Sequence, residues 1–149
     1  MKVIVAGMVI AFSSFHLAFG STPAQCLAGM RKALVEGHFT GPLVCSRENS
    51  TFVLAGRTAG DKFAIYDYRY RFRPSGANVM HGGQKILVFQ GKRYIGQYAL
   101  SPPPYTFVTM NGTHVVLETR GTREKVSLDF SKNPPREVLI NGEVEVFYR

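Results

Sequence analysis

Residues Tyr66-Asp67-Tyr68-Arg69-Tyr70-Arg71-Phe72-Arg73 alternate without a break between an aromatic ring and a charged group. In an extended chain successive side chains point to opposite faces. Tyr66, Tyr68, Tyr70 and Phe72 therefore share one face of a strand, and Asp67, Arg69, Arg71 and Arg73 share the other. A helix would scatter the same residues around its circumference, so the stretch reads as β. Just upstream, Phe63 and Ile65 fall on the opposite parity, which predicts a bulge or twist near residue 65.

The same period of two runs through the rest of the chain. Val126, Leu128 and Phe130 alternate with Lys125, Ser127 and Asp129. Val144, Val146 and Tyr148 alternate with Glu143 and Glu145, which predicts a second half-buried strand with its valines inward. Asn111-Gly112 and Asn141-Gly142 sit between apolar runs, and Asn-Gly tolerates the positive φ of a type I′ hairpin turn. Gln90-Gly91 marks a third hairpin. Together these signals predict strands at 43–46, 51–56, 62–73, 85–90, 92–100, 105–110, 113–119 and 124–130, with a last hairpin across 137–148.

Consecutive hairpins imply an antiparallel meander. Such a sheet protects its edges by curling, so the expected fold is mainly β, a small barrel or a strongly coiled sheet or sandwich. Ser101-Pro102-Pro103-Pro104 cannot join a ladder and reads as a polyproline II spacer. Before the strands, Thr22 and Gln25 have capping-box spacing, Pro23 suits a first helical position and Gly37 suits a C′ residue. Leu27, Met30 and Leu34 give one apolar stripe between them, so a helix is expected at about 23–36.

The first twenty residues differ in kind. Lys2 precedes the uncharged apolar run Val3 to Phe12, and Ala18-Phe19-Gly20 supplies small residues for cleavage. This is the pattern of a secretory signal peptide over 1–20, leaving one domain over 21–149 that is secreted or periplasmic. The run falls short of the ~20 residues needed to span a bilayer. Export suits the cysteines: Cys26 and Cys45 are the only two, and in an oxidising compartment they can form one disulfide. Their spacing is a poor zinc pattern, and neither a metal nor a cofactor is expected.

Charge bounds the partners. Of the eighteen Lys and Arg only Lys2 lies in the leader, so residues 21–149 carry seventeen against ten acids, a net +7. Such a surface attracts anions and opposes approach to cationic enzymes. Arg69, Arg71 and Arg73 would stand ~7 Å apart along one strand face, a spacing that suits an extended polyanion. Lys92 and Arg93 join them as candidate ligand-binding residues, and Lys85 adds to the expected basic surface. The plainer reading of the same alternation is an aromatic core face with solvated charges opposite. For an exported chain the polyanions at hand are glycolipids, acidic polysaccharides and lipid head groups, with nucleic acid disfavoured. Asn49 and Asn111 begin glycosylation acceptor triplets, which matter only in a eukaryotic secretory route.

No nucleophile motif is present, so a non-catalytic binding or accessory protein is the leading expectation. His81, in the loop Met80-His81-Gly82-Gly83, is the best candidate for acid–base chemistry with a carboxylate partner in a small hydrolase. A third expectation is contact with another envelope protein through an edge strand or the proline spacer.

Overall fold

The structure, a computed structural model, describes residues 30–45, 48–100, 106–119, 121 and 125–149. The leader, Cys26, the first part of the expected helix and the proline spacer lie outside the described residues. Four strands, β1 (Ser50–Arg57), β2 (Ala64–Phe72), β3 (His81–Gln90) and β4 (Arg93–Leu100), form one antiparallel sheet in sequence order. A second sheet holds β5 (Thr106–Asn111), β6 (His114–Thr119) and β7 (Lys125–Asp129), and a separate hairpin holds β8 (Glu137–Ile140) and β9 (Glu143–Val146). The helix α1 spans Met30–Glu36 among the described residues.

The fold is mainly β and antiparallel, as expected, but the sheets do not close into a barrel. The first sheet ends at β1 and β4, which are not paired with each other. The reason lies in β2 and β3, which are apolar on both faces. Ile65, Ile86 and Val88 face a core shared with Val115 and Leu117 of β6 and with Leu128 of β7. Ala64, Tyr68 and Leu87 face a second core beneath Met30 and Leu34 of α1. A sheet clad on both faces has no need to curl on itself to hide an apolar side.

Two-sided burial also explains the parity change before Tyr66. No bulge interrupts β2 against β3, where the register runs unbroken from Ala64↔Phe89 to Phe72↔His81. The irregularity falls on the other side, between Leu54 and Gly56 of β1 opposite Tyr66 and Ile65. The expected strand at 43–46 is absent from Leu43–Cys45, while Ser46 lies outside the described residues. Instead residues 37–45 form a strap across the first sheet. Its polar groups are taken by a side chain: the Tyr68 hydroxyl accepts from Val44 N at 2.8 Å and lies 3.0 Å from Pro42 O and 3.2 Å from Val44 O. The Tyr68 ring is stacked between Phe52 at 4.3 Å and Tyr70 at 5.1 Å, with the Phe39 edge at 6.0 Å.

All three expected hairpins form. Asn141 and Gly142 both take positive φ, 52° and 81°, as a type I′ turn requires. At the Asn111-Gly112 hairpin, Asn111 pairs with His114, so the loop is Gly112-Thr113 with a positive φ at Gly112 only. That is the Gly-first pattern of a II′ turn, shifted one residue from the expected position.

The last hairpin reverses its expected parity. Leu139 pairs with Val144 and Glu137 with Val146, so these four share a face. Leu139 and Val144 are 61% and 62% exposed, while Ile140 is 2% exposed in the inter-sheet core. Directly opposed residues must share a face, and the apolar residues of β8 that pack inward, Val138 and Ile140, stand opposite glutamates. Burying Val138 and Ile140 turns Val144 and Val146 outward.

The strap depends on one hydroxyl. Tyr68→Phe keeps the ring stack but leaves strap amide groups without their partner, so it should cost about 1–3 kcal/mol in denaturant unfolding. The amide of Val44 should lose its hydrogen-exchange protection in the same variant. An unchanged stability would show that the strap is held by its rings alone.

Candidate functional site

The residues singled out for ligand binding fall at two ends of the first sheet. Arg69 and Arg71 stand opposite Gln84 and Gly82 at the start of β3, whereas Lys92 and Arg93 follow its end. Ten residues of strand separate Gly82 from Lys92, which is roughly 30 Å at the rise of a β-strand. One small ligand cannot touch both groups.

The arginine row is not a row of equals. Arg69 donates from Nε and Nη2 to Asp67 Oδ2 at 3.0 and 2.7 Å, and Gln84 Nε2 holds Asp67 Oδ1 at 2.8 Å. Asp67 is 7% exposed, so this carboxylate sits at the margin of the inter-sheet core and Arg69 neutralises it there. Part of the Arg69 guanidinium is thus taken up by Asp67. Arg71 and Arg73 are exposed, and Arg73 lies beyond the end of β2. A cleft of about 260 Å³ opens at this end, between Glu48–Thr51 on one side and Arg69–Arg71 on the other. Its basic groups are offset by Glu48 and by the Asp67–Arg69 pair.

The opposite end is more one-sided in charge. A cleft of about 490 Å³ is lined by His38, Lys92, Arg93, Tyr94 and Arg149, with Ala33, Glu36 and Gly37 of the α1 end. Three separate segments bring these residues together. The α1 terminus closes with Gly37 N to Ala33 O at 2.8 Å, His38 N to Val35 O at 3.1 Å and Phe39 N to Leu34 O at 2.8 Å. The residue in the left-handed region is His38, with φ 58°, rather than the expected Gly37. Gly37 is needed for another reason, since a Cβ there would lie 2.3 Å from Tyr94 Cδ1. The hairpin after β3 supplies Lys92 and Arg93. The third segment is pinned by a β-bridge, Gln97 N to Tyr148 O at 2.7 Å and Tyr148 N to Gln97 O at 3.1 Å. Arg149 Nε then donates to Ile95 O at 3.3 Å.

Among the described residues no carboxylate is ion-paired with Lys92, Arg93 or Arg149. Glu36, the one acid in the lining, meets Lys32 at 3.5 Å. Cations do collect favourably at a helix C-terminus. Here, however, the last α1 carbonyls are already capped by the three backbone amides of residues 37–39. Sequence reasoning reached Lys92 and Arg93 but missed His38 and Arg149 as their companions. The signal for His38 was its place just after the helix; nothing in the sequence places Arg149 beside the hairpin after β3.

Lys85 is a correction. Rather than adding to a basic surface, it is 6% exposed and shares the strap face with Tyr68, its partner across the ladder. Its ammonium donates to Thr40 O at 2.8 Å and to the Tyr148 hydroxyl at 3.4 Å, with the Phe39 ring centroid at 5.1 Å. Gly41 covers it closely: a Cβ there would lie 2.7 Å from Nζ. No ion pair to Lys85 is present among the described residues, and loss of solvation holds its pKa below the ordinary lysine value. Gln97 completes this seam, donating from Nε2 to Thr40 O and Oγ1 at 3.1 and 2.8 Å, while its Oε1 finds no partner.

His81 is exposed at the start of β3, and its ring lies 5.8 Å from that of Phe72. No described carboxylate bonds to it, so the structure does not assemble the acid–base pair that a hydrolase would need. Among the described residues there is no cluster of three His, Cys, Asp or Glu able to hold a metal, and no helix long and apolar enough to cross a membrane. Cys45 is not a free thiol, and its expected partner Cys26 lies outside the described residues.

Comparison with family models, with curated proteins and with solved structures finds no match.

The Lys85 seam has a signature in pH. Between the lowered folded value and the ordinary 10.5, the unfolded chain binds more protons than the folded one. Stability should then rise with pH across that window. Above pH 10 the buried tyrosines act in the opposite sense, Tyr68 being raised to about 12 by burial. Lys85→Met should raise stability at pH 7 by about 1 kcal/mol, because Thr40 O keeps its bond from Gln97. The same variant should flatten the alkaline rise in melting temperature. A lower melting temperature at pH 7 would mean that the buried ammonium is favourable where it sits.

Proposed function

We propose that the chain is an exported, non-catalytic binding protein of the cell envelope or exterior. It holds an anionic partner in the cleft between the α1 terminus and the hairpin after β3. One observation carries this reading: His38, Lys92, Arg93 and Arg149 converge on a single cleft whose one acidic side chain among the described residues, Glu36, is paired with Lys32. The net +7 of residues 21–149 adds long-range attraction for the same class of partner. Glycolipid, acidic polysaccharide and lipid head groups are the anions available outside the cell membrane.

The leader pattern over 1–20 supports export, and export supports a Cys26–Cys45 disulfide. The intact mass of protein recovered from the exported fraction should correspond to a chain beginning at Ser21 with both thiols oxidised. Retention of residues 1–20, or uptake of a thiol reagent at both cysteines, would contradict it.

A second reading has its own support. Leu139, Val144 and Val146 present an exposed apolar stripe on the last hairpin, the kind of surface that contacts another envelope protein. Three side chains make a small patch beside the ~800 Å² per partner of a stable complex, so anion binding leads.

Binding to phosphatidylglycerol vesicles and to polygalacturonate, followed at rising salt, tests the leading reading. Lys92→Glu with Arg93→Glu should weaken binding by about tenfold or more at low salt and flatten its salt dependence. Arg71→Glu with Arg73→Glu should change it by less than about threefold. Equal losses from the two ends of the sheet would show that net charge, not the cleft, governs binding.

A further inference from the structure

The donors of the cationic cleft differ in kind and come from three segments of chain, and this bears on which anion fits. Arg149 spends Nε on Ile95 O, leaving its terminal Nη amines for a ligand. Arg93 brings a second guanidinium and Lys92 an ammonium, both from the hairpin after β3, and His38 brings an imidazole from the end of α1. Tyr94 belongs to the same wall. It is 1% exposed, and its hydroxyl has no hydrogen-bond partner. The hydroxyl is buried, so Tyr94 backs the wall with its ring and does not donate into the cleft.

A carboxylate presents two oxygens in one plane and a single charge, which one guanidinium fork satisfies. It would leave the remaining cations of this cleft uncompensated. A phosphate monoester presents three oxygens in three directions and close to two charges at neutral pH. Lys92, Arg93 and Arg149 supply three charges from two segments of chain, with His38 from a third, and suit the second anion in charge and number of acceptors better than the first. The cleft volume of about 490 Å³ leaves room for a group that carries the phosphate.

We infer that the cleft formed by His38, Lys92, Arg93 and Arg149 selects a phosphate monoester over a carboxylate, an inference that rests on the anion-binding reading above. The ligand class is a phosphate carried on a polyol, either a soluble sugar-type phosphate or a lipid head group.

The test is a titration of the full mature chain at fixed low ionic strength with glycerol 1-phosphate, with galacturonate and with phosphatidate vesicles. Backbone amide shifts of residues 92–94 and 149 give the site, and the titration gives the affinity. Glycerol 1-phosphate or phosphatidate should bind at least about tenfold more tightly than galacturonate. Arg93→Gln with Arg149→Gln should remove that preference, since each charged hydrogen bond contributes roughly this much. Lys92→Gln, alone and remote from the β-bridge at Gln97, provides a second variant should the double one lose its fold by thermal melting. Binding to vesicles alone assigns the phosphate to a lipid, and binding to both forms assigns it to the shared head group. Galacturonate binding as tightly as the phosphates would overturn the phosphate preference and leave the anion cleft standing. Phosphate binding untouched by the variants would place the anion elsewhere and overturn the preference too. Failure of every anion to move the amides of residues 92–94 would overturn both this inference and the reading on which it rests.

Discussion

The central constraint on this molecule is that its four-stranded sheet is buried from both sides. Ile65, Ile86 and Val88 are pressed against the second sheet, while Ala64, Tyr68 and Leu87 are pressed against α1 and the strap. Midway along β2 and β3 neither face is left to meet a partner, although Val53 and Leu54 of the edge strand β1 are exposed. Also accessible are the ends of the sheet, where hairpins and crossing segments leave clefts. The location of the candidate site follows from that: Arg69 and Lys85, midway along the central strands, are paired or enclosed, while Lys92 and Arg93 at the far end are open to solvent.

Cladding both faces carries an internal cost, visible in three polar residues that the layers trap. Asp67 is neutralised by Arg69 and held by Gln84, so its burial is compensated locally. Lys85 has no such ion pair among the described residues and relies on a carbonyl, a phenol and aromatic faces. Gln97 satisfies its amide nitrogen and not its oxygen. All three lie where the strap, the Tyr148 bridge or the second sheet closes over the first. The polar seam at Thr40 links those closures, because Lys85, Gln97 and Arg149 all bond to this one residue.

Much of the architecture was legible in the residues. The alternation from Tyr66 to Arg73, the Asn-Gly and Gln-Gly turns and the apolar stripe of Met30 and Leu34 correspond to β2, three hairpins and α1. Parity was the weaker guide wherever a strand is buried on both sides or faces a competing partner. Phe63 and Ile65 looked out of phase only because one face was assumed to be dry. Val144 and Val146 looked like core because β9 was read without β8, whose Val138 and Ile140 take the inward places. Lys85 could not be distinguished from a surface lysine, since its enclosure depends on Thr40, Gly41 and Tyr148, far away in sequence. For the same reason Arg149 gave no sign of joining Lys92 and Arg93.

Native-state hydrogen exchange probes the two-sided cladding most directly. Amides of Ile65 to Tyr68 and of Ile86 to Val88 should exchange only through global unfolding, with the free energy measured by denaturant melting. Those of β8 and β9 should exchange at lower free energy, since their outer face is open. Exchange of the β2 amides through a local opening, well below the global value, would mean that one face of the sheet is not covered and that the ends of the strands are not the only surface on offer.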